Sequence, residues 1–385
     1  MPGRKGIRSY LISPTREIKE FLGTVALQQL GVGLVNIFEP IYLYGLGIPP
    51  IGIVWYYVAA YLPYLFIMPL GGRFAKRFGY EHALAVGTFF NVAYFCALAA
   101  IPHVHEALFV APLLLGLQKT FWWPAYHADF ARFSRGREVG REVGFVQTLY
   151  SLAGGVGPVI GGFVAQYLGF SALLVVAVIV LVLSVIPLFT TREEFIPTEL
   201  TWREQWAFLL RPAYRRRLLG SLGFGAEFVN LVTWPLFIFV ALGTTSRLGI
   251  VAGISTVVTI VVMELVSRYA DRSVRASKRA FLWTNIVHAA SWLARPFVRT
   301  FAPVAAADSV GYAARNLTYV PYYKAVYRDA KANHVMIEVV ASEMALVIGK
   351  LLTMGAVLVV LYAGGGLPGT FFVGFAASLF FFLFK

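Results

Sequence analysis

An all-α membrane protein, with twelve transmembrane helices in two pseudo-symmetric six-helix bundles, is expected from three observations. First, 58% of the 385 residues are hydrophobic and only 14% charged, with a mean hydropathy of +0.71, whereas soluble domains carry about 25% charged residues. Second, apolar runs of helical length follow one another, and about 20 helical residues span a bilayer core of about 30 Å. Third, the chain repeats itself. "EPIYLY" at 39–44 answers "WPLFIF" at 234–239, "GRFAKRF" at 72–78 answers "SRYADRS" at 267–273, and Pro124 answers Pro321. No strand alternation competes with these runs, which argues against an outer-membrane barrel.

The runs place helices at 21–45, 49–70, 80–101, 106–128, 143–167 and 170–189, then at 218–242, 247–266, 280–298, 302–323, 336–362 and 368–384. This divides the chain into an N-terminal segment (1–20), a first bundle (21–189), a linker (190–217) and a second bundle (218–385). Six helices per unit give both copies one orientation, so a pseudo-two-fold axis runs along the membrane normal, and a shared site is expected between the copies near the midplane. The linker carries Thr201 and Glu204 at capping-box spacing, followed by Trp202, Trp206 and Leu209. It reads as a helix on the membrane surface that tethers the halves.

The formal charge of +14 is topological. Nearly all cations lie before the first helix or in loops on one side. The opposite loops carry Arg247, Arg295 and Arg299, and the helices Lys119, Arg315 and Lys350. Both termini are therefore expected in the cytoplasm, in a multi-pass plasma-membrane protein with no nucleic-acid partner. The first helix is too long for a signal peptide. Cys96 is alone, and "HVH" at 103–105 is a weak metal signal, so no metal or cofactor is assigned.

Two stretches carry recognisable motifs. After the second helix, "GGRFAKRFGYEH" offers Gly72 and Gly79 for a tight turn, with Arg73, Lys76 and Arg77 as cations. After the eighth, "VSRYADRSVRASKR" sets Asp271 between Arg268 and Arg272, with Glu264 just before. Charged short loops of this kind hold neighbouring helix ends. In the fifth helix, "GFVQTLYSLAGGVGPVIGG" presents Gly154, Gly157, Gly161 and Gly162 as a small-residue surface, and Pro158 permits a bend. The chain resembles the major facilitator superfamily. That family's Gly-x-Leu-Ala-Asp-Arg-x-Gly-Arg signature matches at Gly72, Ala75, Arg77 and Gly79, and its second copy at Ala270, Asp271, Arg272 and Arg275. Lys76 stands where the family's acid belongs. The fifth-helix stretch resembles the family's antiporter motif at Gly144, Gly157, Pro158, Gly161 and Gly162, which implies export by exchange, often with protons. "LLLGLQK" in the fourth helix lacks the Arg that drug–proton antiporters of the family carry ahead of a Gln-Gly pair.

Ionisable side chains inside a membrane usually face a cavity or a partner. Gln28, Asn36 and Glu39 share a face of the first helix, and Glu227, Asn230 and Trp234 one of the seventh. The fourth helix offers Lys119, Trp123 and Tyr126; the tenth offers Asp308, Tyr312, Arg315, Tyr319 and Tyr322. In the family these four helices line the central cavity. The candidate solute contacts are thus Gln28, Asn36, Lys119, Trp123, Asn230, Trp234, Arg315 and Tyr319. The candidate proton carriers are Glu39, Glu227 and Asp308, with Glu227 the expected counter-ion of Lys119 and Arg315. The candidate gates are Gly72, Arg73, Arg77, Gly79, Glu264, Arg268, Asp271 and Arg272. Glu343 and Lys350, seven apart on one face of the eleventh helix, read at least as well as an intrahelical network as solute contacts. Gln147 and Tyr150 stand between cavity and packing, and His288 reads as a satisfied interior histidine.

No GxxxxGK[ST] loop appears, and no HExxH or GxSxG, which argues against ATP-driven transport and an intramembrane enzyme. The expected function is secondary active transport of a small organic solute, by proton-coupled export, in a monomer. The alternatives are an organic-anion carrier using Lys119 and Arg315, or a non-transporting receptor or assembly factor on the same fold.

Overall fold

The structure, a computed structural model, describes residues 16–133, 139–189, 201–270, 273–332 and 335–384. Twelve helical passes are present among the described residues, and no strand. The first is Arg16–Val35, continued past a break at 36–38 by Glu39–Gly45. The second to sixth are Pro50–Phe78, Tyr80–Ala100, Ala107–Phe133, Val139–Tyr167 and Gly169–Val185. The seventh is built of Arg215–Ser221, Gly225–Leu231 and Thr233–Leu242. The eighth to twelfth are Thr245–Ala270, Val274–Ala294, Phe301–Ala332, Val335–Tyr362 and Gly366–Ser378. Eight passes are long and apolar enough to cross a bilayer by length and composition. Large apolar side chains such as Phe109, Tyr167, Val257 and Phe297 stay exposed around the periphery, where lipid is the solvent.

The repeat is visible in the helix neighbours. In the first half, the first helix packs on the fifth and sixth, the second on the fourth, and the third on the fourth and sixth. Adding six to each number gives the pairs of the second half: seventh with eleventh and twelfth, eighth with tenth, ninth with tenth and twelfth. Between halves, the fifth meets the eighth and the second meets the eleventh, pairs that exchange under a two-fold axis. The seventh pass breaks at Val232 (φ −119°, ψ −66°), the counterpart of the first-pass break. At both breaks a proline soon follows, Pro40 and Pro235, whose missing N–H suits the first turn of a restarted helix.

The small residues of the fifth helix explain two interfaces. A Cβ on Gly157 would stand 2.7 Å from the Gly33 carbonyl carbon, and one on Gly161 would collide with the Leu34 carbonyl. The next face meets the other half: a Cβ on Gly162 would stand 2.6 Å from the Thr245 carbonyl oxygen, and one on Gly249 would hit the Pro158 carbonyl. Gly144 is helical, while its surroundings and the side chains of Gln147 and Tyr150 lie outside the described residues.

Several expected boundaries shift. The second helix runs to Phe78, so Gly72, Arg73 and Arg77 are helical rather than part of a loop. Gly79 alone, at φ 110°, makes the turn into the third helix. Arg73 and Arg77 are exposed, and Gly72 is buried. Hydropathy ended this helix too early because charged residues at a water-facing helix end lower the average without breaking the helix. The eighth helix likewise reaches Ala270 with Glu264 exposed on it, and the Ser273 hydroxyl caps the ninth by accepting from Ala276 N–H at 3.0 Å. Asp271, Arg272 and the Arg268 side chain lie outside the described residues.

In the linker, Thr201 and Glu204 form the expected capping box at the start of Trp202–Leu209. This short helix bridges the halves. Trp202 Nε1 donates to the Phe66 carbonyl at 3.0 Å, and Gln205 Nε2 donates to the Ile337 carbonyl at 3.0 Å. Beyond it, Arg217 pairs with Asp329 and Glu338, fastening the seventh helix to the tenth and eleventh.

Candidate functional site

Between the halves lies a cavity of about 340 Å³ whose walls come from both bundles. Its polar groups are arranged in three levels, set by how far along each helix they stand.

The middle level holds Lys119, Glu227, Arg315 and Lys350, each near the centre of its helix. Lys350 Nζ and Glu227 Oε2 are 2.6 Å apart, joining the eleventh helix to the seventh. Lys350, not Lys119 or Arg315, is thus the direct counter-ion of Glu227; the other two act on it from farther away. The Lys119 ammonium lies over the Tyr61 ring at 5.2 Å, with Lys350 at 5.5 Å from the same ring. Arg315 is held between the rings of Tyr312 (4.7 Å) and Tyr319 (5.7 Å), and its Nε and Nη1 have no hydrogen-bond partner.

Toward the face that carries both ends of the chain lies a group that the sequence reading passed over. His127 of the fourth helix is 4% exposed and stacks between Trp123 (5.7 Å) and Tyr323 (5.0 Å). Its Nδ1 is 2.6 Å from the Tyr327 hydroxyl, and its Nε2 is 3.2 Å from Glu343 Oε1, within ion-pair distance but not aligned as a hydrogen bond. Glu343 therefore reaches across the halves rather than along its own helix to Lys350. The pattern that marks His127 is its spacing: it lies four residues after Trp123 and eight after Lys119, on the same helix face.

Toward the opposite face, the two halves differ. Glu39 restarts the first pass and is buried, with the hydroxyls of Tyr57 and Tyr94 beside it and its Oε1 without a hydrogen-bond partner. At the equivalent place of the second half stands Trp234, and the acid comes from the tenth helix. Trp234 Nε1 donates to Asp308 Oδ1 at 2.8 Å, and Ser255 Oγ donates to Asp308 Oδ2 at 2.5 Å. Arg295 completes this group. Expected in a loop, it is instead 1% exposed, stacked on Trp292 at 3.8 Å and Trp234 at 4.5 Å, and donates to Asn230 Oδ1 at 3.1 Å. A loop assignment followed from its place after the apolar run; the three-residue 3-10 turn Arg295–Phe297 folds it back inside.

The remaining candidates divide between the cavity and the packing. Asn36 lines the cavity at the first-pass break, and Gln28 lines it while accepting from Thr88 (3.4 Å) and Ser184 (3.1 Å) of its own half. Tyr319 faces both Arg315 and Phe224, whose ring is 4.5 Å away. His288 is buried beside Trp292 and Phe381, and its Nδ1 lacks a hydrogen-bond partner, so it is interior but not satisfied.

The halves also touch on the far side of the cavity. Trp55 Nε1 donates to the Tyr362 hydroxyl at 3.2 Å, and Thr245 Oγ1 donates to the Gly162 carbonyl at 3.0 Å. With His127 bridging at the other end, the cavity is bounded by contacts between the halves at both ends.

Known proteins show the same organisation. The Major Facilitator Superfamily profile matches residues 21–314. Multidrug resistance protein 1 of Bacillus subtilis is 29% identical over 166 residues, which is 43% of this chain and 42% of that protein. The quinolone resistance protein NorA of Staphylococcus aureus is 27% identical over 138 residues, 36% of this chain and 35% of its own. Both alignments thus span less than half of the relative's length. Among solved structures, the Escherichia coli fucose:proton symporter FucP superposes with a TM-score of 0.69 at 13% identity, covering 96% of this chain and 98% of that one. The human organic anion transporter MFSD10 gives 0.67 at 14% identity, covering 97% and 100%. The chain belongs to the major facilitator superfamily and is a multi-pass integral membrane protein.

Proposed function

We propose that this protein exports a small organic solute in exchange for protons, its halves (residues 21–189 and 218–385) rocking about the cavity. The observation that carries the reading is the His127–Glu343 contact, an ionisable pair that joins the two halves. A coupling proton has to change the relative stability of two arrangements of the halves, and it does so only at a contact that differs between them. A proton on Glu343 removes the anionic partner of His127, so the bridge is strong or weak according to the proton's presence. Glu39 is the second carrier, because neutralising it relieves a buried carboxylate that no cation touches. Glu227 and Asp308 are held by Lys350 and by Trp234 with Ser255, and act as fixed charges.

Lys119, Trp123, Arg315 and Tyr319 form the solute-facing surface in this reading, with Asn36 and Gln28 on the wall. Asn230 and Trp234 hold Arg295 and Asp308 in place behind it. Export is supported by the motif Gly157, Pro158, Gly161 and Gly162, of which Pro158 and Gly162 meet the other half, and by the resistance proteins among the relatives. The Lys- and Arg-rich face is cytoplasmic, with Gly79, Glu264 and the charged helix ends near it shaping the gate, and the working unit is the monomer.

The test uses purified protein in liposomes loaded with the quinolone norfloxacin. An inward-directed proton gradient is expected to speed norfloxacin release and acidify the lumen. Glu343→Gln is expected to lose the response to the gradient while retaining norfloxacin counterflow. Release that ignores both the gradient and a protonophore overturns the coupling.

A further inference from the structure

The chemistry of the solute is written in the charges around Glu227, on the reading that the cavity is the transport site. One carboxylate serves three cations there: Lys350 in direct contact, Arg315 and Lys119 at longer range. Arg315 is nine-tenths buried, and its Nε and Nη1 have no hydrogen-bond partner. The Tyr312 and Tyr319 rings attract its charge but accept nothing from the in-plane N–H groups. The half-buried Lys119 ammonium lies over the Tyr61 ring on the same cavity wall.

The other acids near the cavity are committed elsewhere. Glu343 is on His127, and Asp308 accepts from Trp234 and Ser255 and reaches Arg315 only at a distance. Glu39 lies with Tyr57 and Tyr94, and Lys119 is its distant partner. Buried guanidinium donors without an acceptor are costly, and charge-assisted bonds to an oxyanion satisfy them in the geometry that a guanidinium prefers.

We propose that the cavity binds an aromatic organic anion, a carboxylate or sulfonate whose charged group sits on Arg315 and Lys119 and whose ring lies among Tyr61, Trp123 and Tyr323. A volume of about 340 Å³ and walls rich in rings suit a fused bicyclic body.

Three probes of one shape test this on the full chain in detergent micelles: 2-naphthoate, 2-naphthamide and 2-naphthylmethylammonium. Naphthoate is expected to raise the melting temperature saturably, and the neutral and cationic probes to do so far less. Arg315→Gln is expected to weaken naphthoate about tenfold or more, the loss of a charge-assisted bond. Lys119→Gln should weaken it by a smaller factor, and Arg315→Lys should fall between wild type and Arg315→Gln. Should Arg315→Gln fail to fold, the other two variants carry the comparison. The inference is overturned if naphthoate gives no saturable response, if the amide or ammonium matches it, or if its affinity is unchanged in the variants that fold. Naphthoate binding without flux of any solute in liposomes would leave the anion site and remove the transport reading. Gradient-driven norfloxacin flux with charge-blind probe binding would do the reverse.

Discussion

Glu227 and Lys350 hold each other at 2.6 Å with side chains only 22% and 15% exposed, so each is the other's main compensation for leaving water. Removing one charge leaves the other half-desolvated, at a cost on the order of 2–3 kcal/mol, below the 3–5 of a fully buried pair. Glu227→Gln and Lys350→Met are therefore each expected to lower the melting temperature. The double variant should recover most of the loss, because an uncharged pair of similar volume replaces two charges. A double variant as unstable as the sum of the singles would show that the two do not act as a pair. The sequence displayed Glu227 and Lys350 as intramembrane charges but not their pairing, because a partner on another helix is set by packing. The same holds for Arg295, whose cover joins Trp292 of its own helix end to Trp234 of the seventh helix. His127 differs, since its helix face was readable from Lys119 and Trp123, and only its partners Tyr327 and Glu343 needed the fold.

Helices carry their own constraints, and the fifth states them most sharply. Gly161 lies where any Cβ meets the Leu34 carbonyl, a backbone atom that cannot turn aside. Gly161→Ala is expected to push the first and fifth helices apart and cost about 1–3 kcal/mol, the range of overpacking in a close-packed interior. Gly31→Ala in the first helix is the milder companion, because the nearest atom it meets, Leu181 Cδ2 at 2.9 Å, is the far end of a flexible side chain. Thermal unfolding of the two variants checks the order, and equal melting temperatures would sink the distinction. This packing was legible in outline, as small residues at helical spacing read as a close-approach surface. That one edge serves the first helix and the next the eighth was not, since the eighth belongs to the other half. Local chemistry was the most legible of all: the Thr201–Glu204 capping box appears as its three-residue spacing says it should. Hydropathy failed at the second helix, where Arg73, Lys76 and Arg77 ended the apolar run but not the helix.

For the molecule as a whole, the repeat in the sequence foretold the pairing of helices, and the pairing in turn limits how the chain moves. Contacts within a half follow one scheme in both copies, while contacts between halves run along the fifth–eighth and second–eleventh pairs and include one near each end of the cavity. A rocking motion must open one end while the other stays shut, so the Trp55–Tyr362 and His127–Tyr327 contacts should break at different stages of the cycle. Cysteines placed at either pair, in a Cys96→Ser background, test this directly. The side chains of each pair meet at their tips, too far from the backbone for a direct disulfide, so the cysteines are bridged with a long reducible bis-methanethiosulfonate spacer. Bridging 55 to 362 is expected to stop norfloxacin release from liposomes, and so is bridging 127 to 327, with reduction restoring the flux of the first pair. The second pair also deletes the proposed proton bridge, so after reduction it should regain counterflow but not the response to a proton gradient. Full transport by molecules cross-linked at either end would mean that the halves do not part there, and that the solute takes another route.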